Sequence, residues 1–465
     1  MKKSSNRIVK PELPGGFKDF GPREALIFDS MVSRITQVYR QYGFVPIDTP
    51  CMERMSILTG NSDDFDKSIF KTRIVRGVED RDREDSEVAE ETGCRFDLTV
   101  PLARYIAANT DIPKPFKRYQ LGKVFRGEKP QVGRFREFYQ LDFDTIGSKS
   151  LLADVEVIQV MYDVMTALEI DEFTIRFSSR KILNGLADVL QRTQQATELF
   201  RLIDKTGDSG INAILADLTR KPDSEFDNSA LELNPSEIET VREFLEIGGD
   251  VSSTLSSLEA FFKGRSAIGE AGVAEISSIA EHLLNLEIPT NCWKIDLSIA
   301  RGLAYYNGPV FEAFLDALPE LGSVFSGGRF DGLTNRFIEG SNISGVGASV
   351  GLSRLIVGLI ALGLVEERDS LTKVLIVVFN QAKSAVSMKT AKAFREQGVN
   401  SEVYFGEDTS IRGQLAYAAR KQIQYVVIIG PDEEEKGLVQ LKNMDTRQQN
   451  QVSLLDAINK VKSEE

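Results

Sequence analysis

Residues 117–147 have the sequence KRYQLGKVFRGEKPQVGRFREFYQLDFDTIG. Two apolar runs with interspersed polar residues flank a polar turn, which is typical of two antiparallel strands joined by a hairpin loop. In the second run, alternation places Gln140, Asp142 and Asp144 on one face of the strand. The opposite face receives Leu141, Phe143 and Thr145. One face is polar enough to form a binding site, although a merely solvated strand face would have the same pattern.

The same region carries a local excess of positive charge. Between residues 114 and 136 there are eight basic residues and one acid, Glu128, whereas the whole chain has a net charge of −13 at pH 7. A negative chain ordinarily disfavours polyanionic partners, and a solvated basic hairpin would explain the cluster. Phosphate recognition would explain it too, because Arg126 follows the first strand and could bind a phosphate bidentately. The charge pattern alone leaves both explanations open.

The chain is long enough for several domains. Its 465 residues suggest roughly two to four compact units. Strand-like runs up to residue 178 and from 292 to 368 predict two parts of one core, separated by a helical insertion at 179–291. Residues 372–465 alternate apolar strands with helices, as in an α/β domain with helices on both faces of its sheet. The predicted fold class is therefore mixed α/β (α+β).

Local patterns predict further elements. The runs at 95–100, 293–306 and 309–315 are expected to be strands, and the acid-rich residues 78–91 a solvated loop. Residues 343–365 are long enough to span a membrane, but Arg354 lies near their centre. An arginine there costs about 2.5–3.5 kcal/mol in a bilayer, so a loop followed by a buried helix is expected instead.

Two residue types limit the possible chemistry. His282 is the single histidine, which leaves almost no material for histidine-based metal sites or catalytic dyads. It also precedes the GxSxG pattern at 347–351, whereas a hydrolase of that type places its histidine after the serine. Three cysteines without zinc-ligand spacing favour a reducing compartment. Because residues 1–10 also lack the apolar run of a signal peptide, we expect a cytoplasmic protein.

Motifs at several separated places match one family. The segment FRGEKPQVGRFREFYQLDFD at 125–144 resembles motif 2 of class II aminoacyl-tRNA synthetases, and in detail the histidyl-tRNA synthetases. Further matches are a glycine-rich segment with Pro50 (motif 1), RFDLTVPLARY at 95–105, RGLAYYNGPVFE at 301–312, SGGRFDG at 326–332 and GASVGLSRL at 347–355 (motif 3). Residues 414–444 resemble the family's anticodon-binding domain. The resemblance implies a class II synthetase core, with an antiparallel sheet flanked by helices, and a C-terminal α/β anticodon-binding domain.

The resemblance also implies a reaction. The family joins histidine to ATP, giving histidyl-adenylate and pyrophosphate, and then transfers the histidyl group to the 3′-terminal ribose of its tRNA, releasing AMP. Arg126 would bind the α-phosphate and Arg354 the γ-phosphate, with Glu128 on the adenine side or at a magnesium ion. Arg301 would neutralise the amino-acid carboxylate and the α-phosphate. Mg²⁺ would be held through ATP phosphates rather than by the protein alone.

The same resemblance assigns binding residues and partners. The residues expected to bind the amino acid are Asp97, Thr99 and Gln140 at its ammonium group, Asp144 and Tyr306 at its imidazole, and Tyr305. The expected tRNA contacts are Gln131 and Arg134 at the acceptor stem and, in the C-terminal domain, Gln414, Tyr417, Arg420 and Glu433. The expected partners are histidine, ATP, tRNA and a second copy of the chain, in a homodimer with motif 1 at its interface. Neither a membrane nor DNA is expected.

Three positions depart from the family pattern. The family usually has RGLDYY and GGRYDGL where this chain has Ala304 and Phe330, and Ser353 stands where motif 3 often has glutamate. These departures leave a ligase of altered amino-acid specificity as one alternative. The other is a catalytically inactive paralogue that acts as a regulatory subunit of ATP phosphoribosyltransferase, a class that normally lacks the C-terminal domain.

Overall fold

The computed structural model describes residues 9–60, 68–72, 91–130, 133–204, 210–221, 230–299, 305–365, 367–380 and 384–463. These residues fall into two compact units. The first comprises the described parts of Met1–Asp19 and Ser30–Leu364, and the second those of Phe20–Asp29 and Val365–Glu465.

The first unit contains a large sheet and a small one. The strands of the unit are β1 (Val45–Pro46), β2 (Met52–Arg54), β3 (Lys71–Thr72), β4 (Thr92–Cys94), β5 (Phe116–Phe125), β6 (Glu137–Ile146), β7 (Phe173–Ser179), β8 (Trp293–Ile295), β9 (Pro309–Leu315), β10 (Phe325–Arg329) and β11 (Gly345–Gly351). Eight of the described strands form one sheet in the order β1-β5-β6-β11-β10-β9-β7-β8, and β2-β4-β3 form a smaller one. The edge pairs β1–β5 and β7–β8 of the large sheet are parallel. Its other pairs are antiparallel, as expected.

Helices surround this sheet and fill the central part of the chain. They are α1 (Pro22–Gln41), α2 (Met55–Thr59), α3 (Thr99–Ala108), α4 (Leu152–Ala167), α5 (Arg180–Val189), α6 (Ala196–Ile203), α7 (Ile211–Leu218), α8 (Pro235–Leu245), α9 (Val251–Phe262), α10 (Ala267–Asn285) and α11 (Leu352–Ala361). Between β7 and β8 the described residues form the helices α5 to α10, where the sequence indicates a helical insertion.

One face of the large sheet is covered by α1 and α4. Phe143 of β6 lies against Tyr39 of α1 with ring centroids 4.8 Å apart, and both side chains are fully buried. Arg329 of β10 forms a buried ion pair with Asp154 of α4. These contacts show that α1 and α4 cover part of this side of the sheet.

The hairpin predicted from residues 117–147 is present. β5 and β6 pair so that Arg118 lies opposite Asp144, and β11 brings Gly347 to the other side of Asp144. The next row on the same face contains Gln120, Asp142 and Ser349. The register therefore gathers polar side chains from three strands on the face that α1 and α4 leave free.

The prediction of a strand at residues 95–100 is wrong. The strand β4 ends at Cys94, and α3 begins at Thr99. The side chain of Asp97 accepts a 3.1 Å hydrogen bond from the backbone N–H of Val100, so it caps the first turn of α3. Of the strand expected at 293–306, Trp293–Ile295 form β8, while residues 300–304 lie outside the described residues.

The loop expected before the buried helix at 343–365 is also wrong. Gly345–Gly351 form strand β11, which continues directly into α11. A Cβ atom at Gly347 would lie 2.3 Å from Oδ1 of Asp144 and 2.3 Å from the backbone oxygen of Phe143. Glycine is needed here because neighbouring strands approach closely, not because the chain turns. The acidic loop expected at 78–91 falls, except for residue 91, outside the described residues.

The second unit is an α/β domain. Its strands are β12 (Val374–Ile376), β13 (Ser401–Val403), β14 (Tyr425–Ile428), β15 (Leu438–Asn443) and β16 (Gln449–Ser453), in the order β13-β12-β14-β15-β16. Its helices are α12 (Ser384–Glu396), α13 (Ile411–Arg420), α14 (Pro431–Lys436) and α15 (Leu454–Ser463). Two separate apolar clusters, one containing Phe394 of α12 and the other Ala418 of α13, show that helices cover both faces, as predicted.

Within the described parts of both units, no helix is long and apolar enough to cross a lipid bilayer.

Candidate active site

Three buried carboxyl groups lie on the polar face of the large sheet. Asp97, Asp142 and Asp144 are exposed by only 2%, 4% and 3%. Burial raises the pKa of all three, to about 7 for Asp142 and about 6 for Asp144. The positive charge of Arg118 opposes the rise for Asp142 and Asp144, and its Nη2 lies 2.6 Å from Oδ2 of Asp144. The cluster can therefore hold negative charge near neutral pH and attract a cationic ligand group.

Two tyrosines lie beside these carboxyl groups. The hydroxyl of Tyr305 donates a 3.0 Å hydrogen bond to Oδ2 of Asp97, and the rings of Tyr305 and Tyr306 meet edge to face with centroids 4.9 Å apart. Burial raises the pKa of both phenols, and the charge of Asp144 raises that of Tyr306 further. Both hydroxyls stay protonated near neutral pH and are available as donors.

Hydrogen-bond acceptors remain free in this pocket. Gln140 Nε2 donates a 2.9 Å hydrogen bond to Oγ of Ser349. Its Oε1, like Oδ1 of Asp142, is buried and has no hydrogen-bond partner within the described parts of the chain. Thr99, 6% exposed, is hydrogen-bonded to Tyr305. Because buried acceptors without partners are uncommon and costly, these oxygens mark a place where a ligand with N–H donors can bind.

Three arginines come together near the hairpin loop. Arg354 of α11 donates a 2.6 Å hydrogen bond to the carbonyl of Ser323, and Arg126 donates a 3.1 Å hydrogen bond to the carbonyl of Phe96. Burial lowers the pKa of Arg354, and the positive charges of Arg134 and Arg126 lower it further. Guanidinium groups that repel one another are stabilised by an anion with several oxygens, such as a polyphosphate.

Carboxylates also act on this arginine cluster. The charges of Glu312 and Glu128 both favour the charged form of Arg354. Among the described residues, no group of three or more His, Cys, Asp or Glu side chains is placed to hold a metal ion. A carboxylate or two beside a phosphate site suits Mg²⁺, which keeps water and phosphate oxygens as its other ligands. The donor set therefore fits magnesium bound together with a polyphosphate.

Two predicted site residues, Arg301 and Gln131, lie outside the described residues, as does Ala304. Phe330 is buried and lies edge-on to Tyr305, with ring centroids 6.0 Å apart. Its side chain thus packs behind the pocket tyrosines. Ser353 is buried as well, and its Oγ accepts a 3.2 Å hydrogen bond from the backbone N–H of Tyr139.

The structure contradicts one predicted RNA contact in the C-terminal domain. Gln414 is fully buried; its Nε2 donates to the carbonyl of Val378 and its Oε1 accepts from the N–H of Val378, both at 2.9 Å. Gln414, Tyr417 and Arg420 follow one another at three-residue spacing, which predicts a shared helix face. That face runs into the domain core at Gln414, so its amide group pairs with the backbone and is not available to RNA.

The other C-terminal candidates reach the surface at least in part. Arg420 is exposed. Tyr417 is half-buried, with its ring centroid 5.2 Å from that of Tyr404. Glu433 accepts hydrogen bonds from the backbone of Gly430 and the side chain of Gln440, and the bond from Gln440 lowers its pKa. Contact of these three candidates with tRNA stays a prediction.

The sequence did not single out Arg118 or Glu312 as site residues. Arg118 entered only as one of eight basic residues between positions 114 and 136. Its two-residue spacing from Gln120 could have placed it on the polar face of the first strand. Its position opposite Asp144 could not be known, because the register of β5 against β6 depends on the length and conformation of the hairpin loop.

The chain matches known proteins along most of its length. The family model described as histidyl-tRNA synthetase matches residues 16–355, and the anticodon binding domain model matches residues 373–464. A histidine–tRNA ligase from Wolinella succinogenes is 39% identical over 439 residues, which cover 94% of each chain. Another from Clostridium tetani is 37% identical and covers 98% of this chain and 99% of its own.

Solved structures agree with this match. The crystal structure of a histidyl-tRNA synthetase from a Nostoc species has a TM-score of 0.84 and 30% identity, covering 98% of this chain and 100% of that one. A Bacillus halodurans protein described as an ATP phosphoribosyltransferase regulatory subunit/histidyl-tRNA synthetase has a TM-score of 0.72 over 91% of this chain. At 21% identity the second likeness shows a common fold alone.

Proposed function

The chain belongs to the histidyl-tRNA synthetase family, and we propose that the polar face of its large sheet is where histidine and ATP react. The chain is a histidine–tRNA ligase: it activates histidine with ATP to histidyl-adenylate, releasing pyrophosphate, and transfers the histidyl group to the 3′-terminal ribose of its tRNA, releasing AMP.

One observation carries the assignment of the site. A cluster of guanidinium groups and a pocket of buried carboxyl groups lie beside each other. Arg126 donates a hydrogen bond to the carbonyl of Phe96, and its positive charge lowers the pKa of the next residue, Asp97. The first suits the phosphates of ATP and the second the ammonium group of an amino acid. A bound amino acid would therefore hold its carboxylate towards the phosphate site.

The chemical step needs positioning and charge more than proton transfer. The carboxylate of histidine is already ionised, so its oxygen can attack the α-phosphorus while the bond to pyrophosphate breaks. Arg126 is proposed to hold the α-phosphate and Arg354 the γ-phosphate. Arg301 is proposed to neutralise the carboxylate and the α-phosphate. Mg²⁺ held by ATP phosphates beside Glu128 would supply further positive charge.

The pocket is proposed to select histidine through complementary hydrogen bonds. Oε1 of Gln140, with Asp97 and Thr99, would accept from the ammonium group. Asp144 would accept from one ring nitrogen while the hydroxyl of Tyr306 donates to the other. An apolar amino acid would leave buried polar groups unpaired, which disfavours its binding. Tyr305, bonded to Asp97, would hold that carboxylate in place.

For tRNA, Arg134 is proposed to touch the acceptor stem, with Gln131 beside it in the same loop. The C-terminal domain is proposed to bind the anticodon through Tyr417, Arg420 and Glu433, without the buried Gln414. Contacts to phosphates would supply salt-sensitive affinity, while contacts to unpaired bases would supply specificity.

We also propose a cytoplasmic homodimer. Val45, Met52 and Leu121 are 47%, 57% and 36% exposed, and Leu121 lines an open cleft with Pro50 of motif 1. Exposed apolar side chains near motif 1 suit burial against a second copy. Sedimentation at micromolar concentration tests it: a dimer is expected, Met52→Lys should weaken it, and a wild-type monomer would contradict it.

The test of the activity is ATP–pyrophosphate exchange with each of the twenty amino acids in turn. Exchange is expected with histidine and to fall strongly in Arg126→Met. Equal or better exchange with another amino acid would favour the altered-specificity alternative suggested by Ala304 and Phe330. Absence of exchange with every amino acid, together with copurification of a phosphoribosyltransferase, would favour the regulatory paralogue. That paralogue is the weaker alternative, because residues 373–464 match an anticodon-binding domain.

A further inference from the structure

The buried guanidinium of Arg118 has no part in the reaction described above. Arg118 is 0% exposed, and its Nη2 lies 2.6 Å from Oδ2 of Asp144 and donates a 3.3 Å hydrogen bond to the carbonyl of Leu98. Its Nε and Nη1 have no hydrogen-bond partner within the described parts of the chain. A buried cation so sparsely bonded is tolerated only where negative charge compensates it.

Negative charge is present in excess around Arg118. The titratable and charged groups that interact with Asp144 come from several elements: Arg118 on β5, Asp142 on β6, Asp97 before α3 and Tyr306 before β9, with Tyr39 of α1 acting from the other face of the sheet. Gly347, its partner on β11, carries no charge. Arg118 therefore stands against two buried carboxyl groups, Asp142 and Asp144, while Arg126 and Arg336 act on Asp97, and burial opposes the ionisation of all three.

We infer that Arg118 is a positioning residue for histidine selection, which holds Asp144 as an ionised, oriented carboxylate that accepts a hydrogen bond from the imidazole ring. This inference rests on the proposed function of the pocket. Without the guanidinium, burial and the negative charges of Asp97 and Asp142, which repel that of Asp144, would leave Asp144 protonated near neutral pH. A protonated carboxyl group presents a donor where the ring N–H also presents one, so the pair would no longer match.

The test compares a variant that removes the positive charge of Arg118 at similar volume with one that keeps the charge. Arg118→Met and Arg118→Lys are compared with wild type in histidine-dependent ATP–pyrophosphate exchange over a range of pH. Histidine itself titrates in this range, but its titration is common to all variants. In Arg118→Met the KM for histidine should rise about tenfold or more, which corresponds to about 1.4 kcal/mol, while the KM for ATP stays close to wild type. The acidic limb of kcat/KM should move to higher pH, and Arg118→Lys should restore part of both effects.

Two further variants separate positioning from general damage to the sheet. Arg176→Met is the matched control. Arg176 is a partly buried arginine of the same sheet, and its Nε also lacks a hydrogen-bond partner among the described residues, but it pairs with Asp296 rather than Asp144. It should leave the acidic limb in place. The double variant Arg118→Met with Asp142→Asn removes one of the competing carboxyl groups and should move the limb back towards wild type.

A second readout does not depend on catalysis. Binding of histidine is measured by calorimetry in two buffers of different ionisation enthalpy, near neutral pH. Arg118→Met should release more protons on binding than wild type, because Asp144 has to ionise when the ligand enters. This difference would support the inference even if wild type showed no exchange, an outcome that would defeat the proposed function alone.

Two outcomes in Arg118→Met would overturn the inference. One is an unshifted acidic limb of kcat/KM together with unchanged proton release. The other is an equal increase in the KM for histidine and the KM for ATP. If Arg118→Met does not fold, the test rests on Arg118→Lys. A wild-type KM for histidine, a wild-type acidic limb of kcat/KM and wild-type proton release in this variant would support the requirement for a positive charge. A higher KM for histidine without a shift of the acidic limb would contradict it.

Discussion

The hydroxyl of Tyr305 donates a 3.0 Å hydrogen bond to the buried carboxylate of Asp97, although the two residues are 208 positions apart in the chain. Asp97 also caps α3 through the N–H of Val100. One carboxylate thus links a helix start to the segment before β9 and faces the pocket proposed for the ammonium group. The amino-acid pocket and the local fold share this hydrogen bond, so a change in one is expected to alter the other.

Tyr305→Phe should weaken histidine binding. The variant leaves Asp97 buried with one hydrogen bond fewer, which raises the cost of its ionised form. An increase of about five- to tenfold in the KM for histidine is expected, equal to about 1–1.4 kcal/mol, with little change in the KM for ATP. Steady-state exchange kinetics measure both constants. Equal increases in the two would show that the whole site is distorted and would contradict a local role.

Gly347→Ala should displace Asp144. The new Cβ would lie 2.3 Å from Oδ1 of Asp144 and 2.3 Å from the backbone oxygen of Phe143, a clash that neither strand can relieve without moving. A loss of tenfold or more in kcat/KM for histidine is expected, on the order of 1.4 kcal/mol or more. The matched control is Gly351→Ala on the same strand, where the nearest heavy atom would be 3.7 Å away. If both alanine variants behave alike, the explanation by close approach is wrong.

The ligand-free protein should gain stability as the solution becomes mildly acidic. Burial raises the pKa of Asp142 to about 7 and that of Asp144 and Asp154 to about 6, all above the value near 3.8 expected in the unfolded chain. The folded form then binds protons more tightly than the unfolded form between about pH 4 and pH 7. The free energy of unfolding should therefore fall as pH rises through 6 and 7, by roughly 2–4 kcal/mol in total.

Urea unfolding at about pH 5.5 and about pH 8 measures this dependence. Asp142→Asn is the matched variant, since an amide does not titrate, and it should flatten the slope. A stability that is the same at both pH values, or higher at pH 8, would show that these carboxyl groups are ionised in the folded protein at little cost.

Gln414→Leu should destabilise the C-terminal domain. The substitution removes both hydrogen bonds to the backbone of Val378 and leaves the N–H and C=O of this partly buried residue without their partner. A loss of about 2–3 kcal/mol is expected, at about 1–3 kcal/mol for each unsatisfied buried group. Arg420→Gln on the exposed side of α13 is the control and should leave the unfolding transition unchanged. Unchanged stability in Gln414→Leu, with weaker tRNA binding, would restore Gln414 as an RNA contact.

Local chemistry made a large part of the fold predictable. The alternation of Gln140, Asp142 and Asp144 identified the polar strand face, and continuous apolar runs identified the strands of the C-terminal domain. Two local predictions failed where a side chain or a neighbouring strand decided the backbone. The hydrogen bond accepted by Asp97 helps to start α3 where a strand was expected, and Gly347 of β11 allows close packing of neighbouring strands where a loop was expected.

The sequence by itself determined the class of fold, the family motifs and the residue types that can carry the chemistry, because periodicity and short motifs depend on neighbouring positions. Tertiary structure decided which of these residues meet. The ion pair of Arg118 with Asp144 depends on strand register, and the burial of Gln414 on how α13 packs against its sheet. Register and burial arise from contacts between distant segments, and they set both the pKa of a carboxyl group and its access to a ligand.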